Sequence, residues 1–246
     1  MRTRFILLVG LVILLLAVPA AAQEAGAKYS EKTFQVGEKP YLHVKTVSGN
    51  ITLVGWEKPG EILVQYRVVG DNVKPLFEQN GDEVFVREDH ENSGFFGGSS
   101  GSVNFKVFLP WQALVEAKSV SGSVKIDKLG GALEAKTVSG NIQFAMVAAA
   151  DVTVTSVSGS IDGRFEQPFE GNLQAKSISG DIDLQFAGGA NARFRASSIS
   201  GGIDSKLKLE EMESKKGYGS SSVSGRIGAG AGKVSLSTIS GAIEVR

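Results

Sequence analysis

The sequence predicts an all-β chain built as a parallel β-solenoid, and three observations predict it. One hexapeptide of pattern Ser/Thr, Val/Ile, Ser, Gly, any residue, Val/Ile occurs eight times, from Thr46–Ile51 to Thr238–Ile243. Its last seven glycines are spaced 18, 19, 21, 21, 24 and 16 residues apart. A period near 20 that tolerates insertions marks a stack of like units rather than a series of separate domains. The segments flanking each glycine alternate apolar and polar residues with period two, the pattern of strands with one buried face.

With the repeat glycine as position 0, position −7 is apolar or aromatic in every copy: Leu42, Val115, Leu133, Val152, Leu173, Phe194, Tyr218 and Val234. Position −5 is small or apolar in nearly all copies, and position +2 is always Val or Ile. Each unit therefore reads as strand, Ser-Gly corner, strand, return loop. The corners fall at Gly49, Gly122, Gly140, Gly159, Gly180, Gly201, Gly225 and Gly241. A sharp corner with positive φ is the expected reason for glycine. About 20 residues is too short for a βαβ crossover, so equivalent strands should stack in parallel, about 4.8 Å apart. A right-handed path, hence a right-handed β-helix, is the default for such connections.

Strict alternation would turn the Ser/Thr at −3 inward and all eight Val/Ile at −2 outward. A row of exposed aliphatics is an aggregation hazard. The favoured reading is a bulge near −4/−3 that returns Val/Ile to the core and leaves the hydroxyls near the surface.

Three regions follow. Residues 1–22 read as a signal peptide: Arg2 and Arg4, the apolar run Phe5–Val18, then Pro19 and Ala20–Ala22 before Gln23. Residues 23–110 carry one hexapeptide and longer strands, an N-terminal β region capping the stack. Residues 111–246 are the regular repeats. The chain ends at Arg246 within a strand, so its C-terminal edge is expected to be open to self-association or strand addition.

Composition narrows the function. Without Arg2 and Arg4 the chain has 24 basic and 26 acidic residues, no footprint for nucleic acid. There is no cysteine, which excludes disulfides, thiolate metal sites and a cysteine nucleophile. No segment after the signal peptide is long and apolar enough to span a bilayer. Catalytic motifs are weak. Gly97–Gly101 matches G-x-S-x-G but lies in a low-complexity loop. Gly228–Lys233 resembles a phosphate loop without its spacing. His43 and His90 are the only histidines, lack zinc spacing and read as solvated surface residues. Asp162, Asp183 and Asp204 share position +3, with Asp181 beside them, and form a candidate calcium ladder. Phe95 and Phe96 form a candidate binding loop. No other cofactor is expected.

Thr46–Trp56 (TVSGNITLVGW), Val103–Val124 and the tandem S-G-x-I/V repeats resemble a bacterial exported β-strand repeat family of unknown biochemical function, commonly labelled as adhesins. The resemblance covers essentially the whole mature chain and offers no catalytic residues to transfer. The resemblance implies an adhesin-like role. With the flat faces of the solenoid and the loop aromatics Phe95 and Phe96, the expected function is a non-enzymatic binding or scaffold protein of the cell envelope, in the periplasm or at the cell surface, with a protein or glycan partner. The alternatives are a periplasmic regulatory or envelope-stress partner docking by strand addition, and a carbohydrate-active β-helix enzyme.

Overall fold

The structure is a computed structural model that describes residues 29–90, 101–148, 150–217 and 219–246. The signal-peptide reading and the Phe95–Phe96 loop lie outside the described residues. Twenty-one strands are described, and no helix. The first seven are β1 (Ser30–Gln35), β2 (Tyr41–Thr46), β3 (Ile51–Trp56), β4 (Glu61–Gly70), β5 (Val73–Asn80), β6 (Glu83–His90) and β7 (Gly101–Pro110). Next come β8 (Leu114–Ser119), β9 (Val124–Leu129), β10 (Leu133–Ser139), β11 (Ile142–Met146), β12 (Val152–Ser158), β13 (Ile161–Phe165), β14 (Asn172–Lys176) and β15 (Ile182–Phe186). The last are β16 (Ala192–Ser198), β17 (Ile203–Ser205), β18 (Glu210–Gly217), β19 (Ser220–Ile227), β20 (Gly232–Thr238) and β21 (Ile243–Val245).

They form two sheets, mostly parallel. Sheet A runs β1-β4-β7-β3-β9-β11-β13-β15-β21-β17, and sheet B runs β18-β19-β16-β20-β14-β12-β10-β8-β2-β6-β5. Each regular unit gives its first strand to sheet B and, after the Ser-Gly corner, its second to sheet A. We call such a unit a tier. Tiers stack in strict register: Leu133 pairs with Val115 on one side and Val152 on the other. The apolar rows thus fall on one another, and the core fills the space between the sheets. Phe165 stacks on Phe186 at 5.0 Å and meets Phe144 edge-on at 5.7 Å. Gly163 makes room for that cluster, since a Cβ there would lie 2.2 Å from Phe144.

Chain order and stack order differ at both ends. The tier β2–β3 lies between β8–β9 and the outer pair β6 and β7. The final tier β20–β21 is threaded between β14–β15 and β16–β17. This corrects the expectation about the C-terminus. β21 is hydrogen-bonded to β15 and to β17, so the chain end presents no sheet edge for strand addition or self-association. Antiparallel strands finish both sheets at one end, β4 and β1 in sheet A and β5 in sheet B, and β19 and β18 finish sheet B at the other, where sheet A ends on the short parallel strand β17. Lys206–Gly219, read from sequence as a return insertion, supplies the edge strand β18, which is exposed along its whole length and carries Glu210, Glu211, Glu213, Lys215 and Lys216, a common protection against edge pairing.

Two expectations about the corner are overturned. No bulge returns Val/Ile to the core. Alternation continues to the corner, so Thr46, Ser119, Thr137, Ser156, Ser177, Ser198 and Thr238 at −3 are buried. Their −2 neighbours face water. A buried hydroxyl is tolerated when it is hydrogen-bonded, and these are. Thr137 donates to the carbonyl of Gly122 at 3.1 Å, Thr238 to Gly180 at 3.1 Å and Ser198 to Gly241 at 2.9 Å. Ser119, Ser156 and Ser177 make the same bond to the glycine of the tier before them in the stack. The aliphatic at −2 is turned out because the hydroxyl has a partner waiting inside.

The second correction concerns glycine. None of the corner glycines has positive φ. They are required by close stacking. A Cβ on Gly140 would lie 2.3 Å from the Gly122 carbonyl oxygen, and one on Gly159 would lie 2.1 Å from that of Gly140. Glycine rides on glycine from Gly49 through Gly122, Gly140, Gly159, Gly180 and Gly241 to Gly201. Gly225 is the exception. It lies inside β19, opposite Phe194 in an antiparallel pair, and is no corner.

Candidate interaction surfaces

The corner that buries its hydroxyls creates an exposed feature. Val47, Val120, Val138, Val157, Ile178, Ile239 and Ile199 follow one another along the stack, each between 37% and 57% exposed. At about 4.8 Å per tier they form an aliphatic ridge about 29 Å long and one residue wide. The backbone beneath is rigidly laddered. Ser139 N–H donates to Val120 O at 2.8 Å, Ser179 N–H to Val157 O at 2.8 Å and Ser240 N–H to Ile178 O at 2.8 Å. The serines at −1 beside the ridge are exposed. Sequence reasoning named these residues and placed them in the core. The signal that could have corrected it is the hydroxyl at −3, which needs an acceptor that only the neighbouring tier supplies.

At the first corner the ladder ends on a carboxylate. Glu88 on β6 has a fully buried side chain. It accepts from the Thr46 hydroxyl, from Val47 N–H at 2.7 Å and from Ser48 N–H at 3.2 Å. One carboxylate thus occupies the place that a glycine carbonyl takes in the later tiers. His90 Nε2 lies 3.1 Å from the other Glu88 oxygen, so His90 belongs to this partly buried pair and is not solvated.

His43 departs from expectation in the same way. Its ring stacks on Phe85 at 4.5 Å and lies 4.0 Å from Tyr41. Nε2 is 2.7 Å from Glu83 and Nδ1 is 2.7 Å from Glu116, two carboxylates brought together by the β6-β2-β8 register. Lys118 also bonds Glu116. Burial pushes the Glu116 carboxyl up, but the bonds from Lys118 and His43 outweigh it and hold its pKa down at about 2.

The acidic ladder is only partly assembled. Asp162 pairs with Asp183, but the threaded final tier puts Glu244 between Asp183 and Asp204. Arg246 bonds Asp183 at 2.8 Å and Glu244 at 3.1 Å, and Lys206 bonds Glu244 at 3.1 Å. Asp181 serves the corner, accepting from Ala242 N–H at 2.7 Å, as Asn50 accepts from Ser123 and Asn141 from Ser160. Burial first, then the Asp183 charge, raises the Asp162 pKa against an opposing bond to Gln143. Among the described residues no three His, Cys, Asp or Glu side chains gather as a metal site.

A family model, Toastrack DUF4097, matches the chain twice, over residues 42–164 and 113–246. The chain belongs to the Toastrack family. The overlapping matches follow the repetition of the tier. A comparison with curated proteins returned no match. Among solved structures the Toastrack chain is similar to a "putative cell adhesion protein" from Clostridium sporogenes, at 12% identity and TM-score 0.50, over 89% of this chain and 99% of that one. It is also similar to a "putative adhesin" from Bacteroides fragilis, at 13% identity and TM-score 0.32, over 90% and 98%. At such identities the first likeness speaks for the fold alone, and the second is weaker. No helix among the described residues is long and apolar enough to cross a membrane.

Proposed function

We propose that this Toastrack chain is a non-enzymatic, adhesin-like binding scaffold of the cell envelope, exported by the leader at residues 1–22 and working in the periplasm or at the cell surface. The stack is a right-handed β-solenoid in this reading. The observation that carries the proposal is the aliphatic ridge. A continuous row of seven exposed aliphatic side chains, held on a rigid backbone and rimmed by serines, is the kind of patch that marks an interaction site. The adhesion labels of the similar structures point the same way, as does the resemblance that the repeats carry. The partner is a protein or glycan of the envelope.

The test is attachment of the purified mature chain to isolated cell envelopes, compared with a Val138→Ser, Val157→Ser, Ile178→Ser variant. These positions are exposed, so the variant should melt within a few degrees of the parent. The expected result is at least tenfold weaker attachment. Unchanged attachment by a folded variant, or recovery of the chain from the cytoplasm, would overturn the proposal.

A further inference from the structure

At the end of sheet B, far along the stack from His43, three cations lie together without carboxylate partners. Arg193 on β16 is paired in register with Lys233 on β20, and Arg195 follows two residues along the same face. Directly opposed like charges on neighbouring strands destabilise a sheet. On the other side Arg193 is opposed by a further cation, Arg226 of β19. Arg226 is neutralised by Glu210 at 2.9 Å and Glu211 at 3.1 Å. Arg193, Arg195 and Lys233 are exposed and form no ion pair among the described residues. The chain as a whole carries equal numbers of acidic and basic residues, so this concentration is local.

The cations also sit in a concavity. They floor a groove of about 940 Å³ walled by Glu211 and Glu213 of β18 and by the turn from β19 to β20. That turn is held over the floor. Gly230 has φ 75° and donates its N–H to Asn191 Oδ1 at 2.8 Å. A Cβ at Gly230 would lie 3.1 Å from Arg226 Cδ and 3.5 Å from Arg193 Cγ, so the turn packs on both arginine stems. Packing of the Arg193 stem restricts where its charged head can go and lowers the ordering cost of binding there.

We propose that this groove binds an acidic polysaccharide, a chain of sugars carrying carboxylates. Two adjacent guanidinium forks and an ammonium suit carboxylates spaced along a polymer. The carboxylates on the wall can accept from sugar hydroxyls, and Ser235 and Asn172 extend that polar lining. The groove offers no aromatic platform for bases, since Phe194 points into the core. The site lies on another surface from the ridge and stands independently of it.

The experiment is calorimetric titration of the full mature chain with oligogalacturonate, with a neutral dextran oligosaccharide and a short single-stranded oligonucleotide as controls. Wild type should bind oligogalacturonate, more weakly as salt rises. The triple variant Arg193→Gln, Arg195→Gln, Lys233→Gln should bind at least tenfold more weakly and, without ligand, melt no lower than wild type. Oligogalacturonate should raise the Tm of wild type only. Lys106→Gln with Lys125→Gln, on the opposite sheet, should bind as wild type does, and so should the ridge variant. Absence of binding by wild type, equal binding by the folded triple variant, or dextran or oligonucleotide binding as tight as oligogalacturonate would overturn the proposal. Loss of binding in the ridge variant would do so too, and would move the glycan to the ridge.

Discussion

Ser156–Ile161 and Ser222–Ile227 differ in one residue of six, Ser160 against Arg226, yet they fold inside out relative to one another. In the first, the serine at −3 is buried and Val157 is 37% exposed. In the second, Val223 is 7% exposed, opposite the inward-facing Ala196, while Ser222 and Ser224 lie opposite Ser197 and Arg195. The difference is the neighbour. β12 stacks in parallel on a tier whose Gly140 carbonyl accepts the Ser156 hydroxyl. β19 runs antiparallel to β16, and its Ser222 hydroxyl has no corner glycine carbonyl beneath it. The hexapeptide therefore does not carry its own inside and outside. The strand beside it assigns them.

The sharpest way to break that comparison is at the glycines. Gly140→Ala drives a methyl group to 2.3 Å from a backbone oxygen that cannot move without shifting a tier. It should cost about 3 kcal/mol or more in urea unfolding. Gly225→Ala meets its nearest backbone atom at 3.0 Å and should cost well under half as much. Equal losses would mean that the stacked glycines are not in close contact. The valines should behave in the opposite sense. Val223→Ser should destabilise by about 1.5–3 kcal/mol, whereas Val157→Ser should be close to neutral.

The hydroxyls give the next effect. Thr137→Val deprives the Gly122 carbonyl of its donor and should cost about 1–3 kcal/mol. Ser222→Ala in β19 should lie within about 0.5 kcal/mol of wild type. At the other end of the ladder, Glu88→Ala strands three donors and should resemble or exceed Thr137→Val. The smallest effects are electrostatic. The folded pKa of Glu116 is depressed, so its ionised form stabilises the fold. That contribution is complete above the ordinary carboxylate range and is lost as pH falls towards about 2. Glu116→Gln should flatten the acid limb of a Tm-against-pH curve. Asp162 has the opposite sign. Its pKa is raised, so ionisation opposes folding, and Asp162→Asn should slightly raise Tm at neutral pH.

Much of the architecture was legible in the chain. Period-two alternation at −7, −5 and +2 named the core rows that the two sheets bury, and the recurrence near 20 residues implied parallel stacking. The misreadings share a cause. A bulge was inferred because exposed Val and Ile are unfavourable in isolation, but the buried hydroxyl gains a bond to a residue that is remote in sequence. His43 read as a surface residue because its carboxylate partners Glu83 and Glu116 lie 40 and 73 residues away. The groove at Arg193, Arg195 and Lys233 was invisible for the same reason, since β16 and β20 are joined through a hairpin that intervenes in sequence.

By itself the sequence determined that this protein is all-β, that its tiers repeat, and which residue types recur at each position, because local alternation and spacing are properties of the chain alone. Only the tertiary structure decided the order of the tiers, the threading of the last one between its predecessors, and which member of each Ser-Val pair meets water. Those outcomes depend on hydrogen-bond acceptors and packing surfaces supplied by strands distant along the chain, and no local pattern encodes which strand will lie alongside.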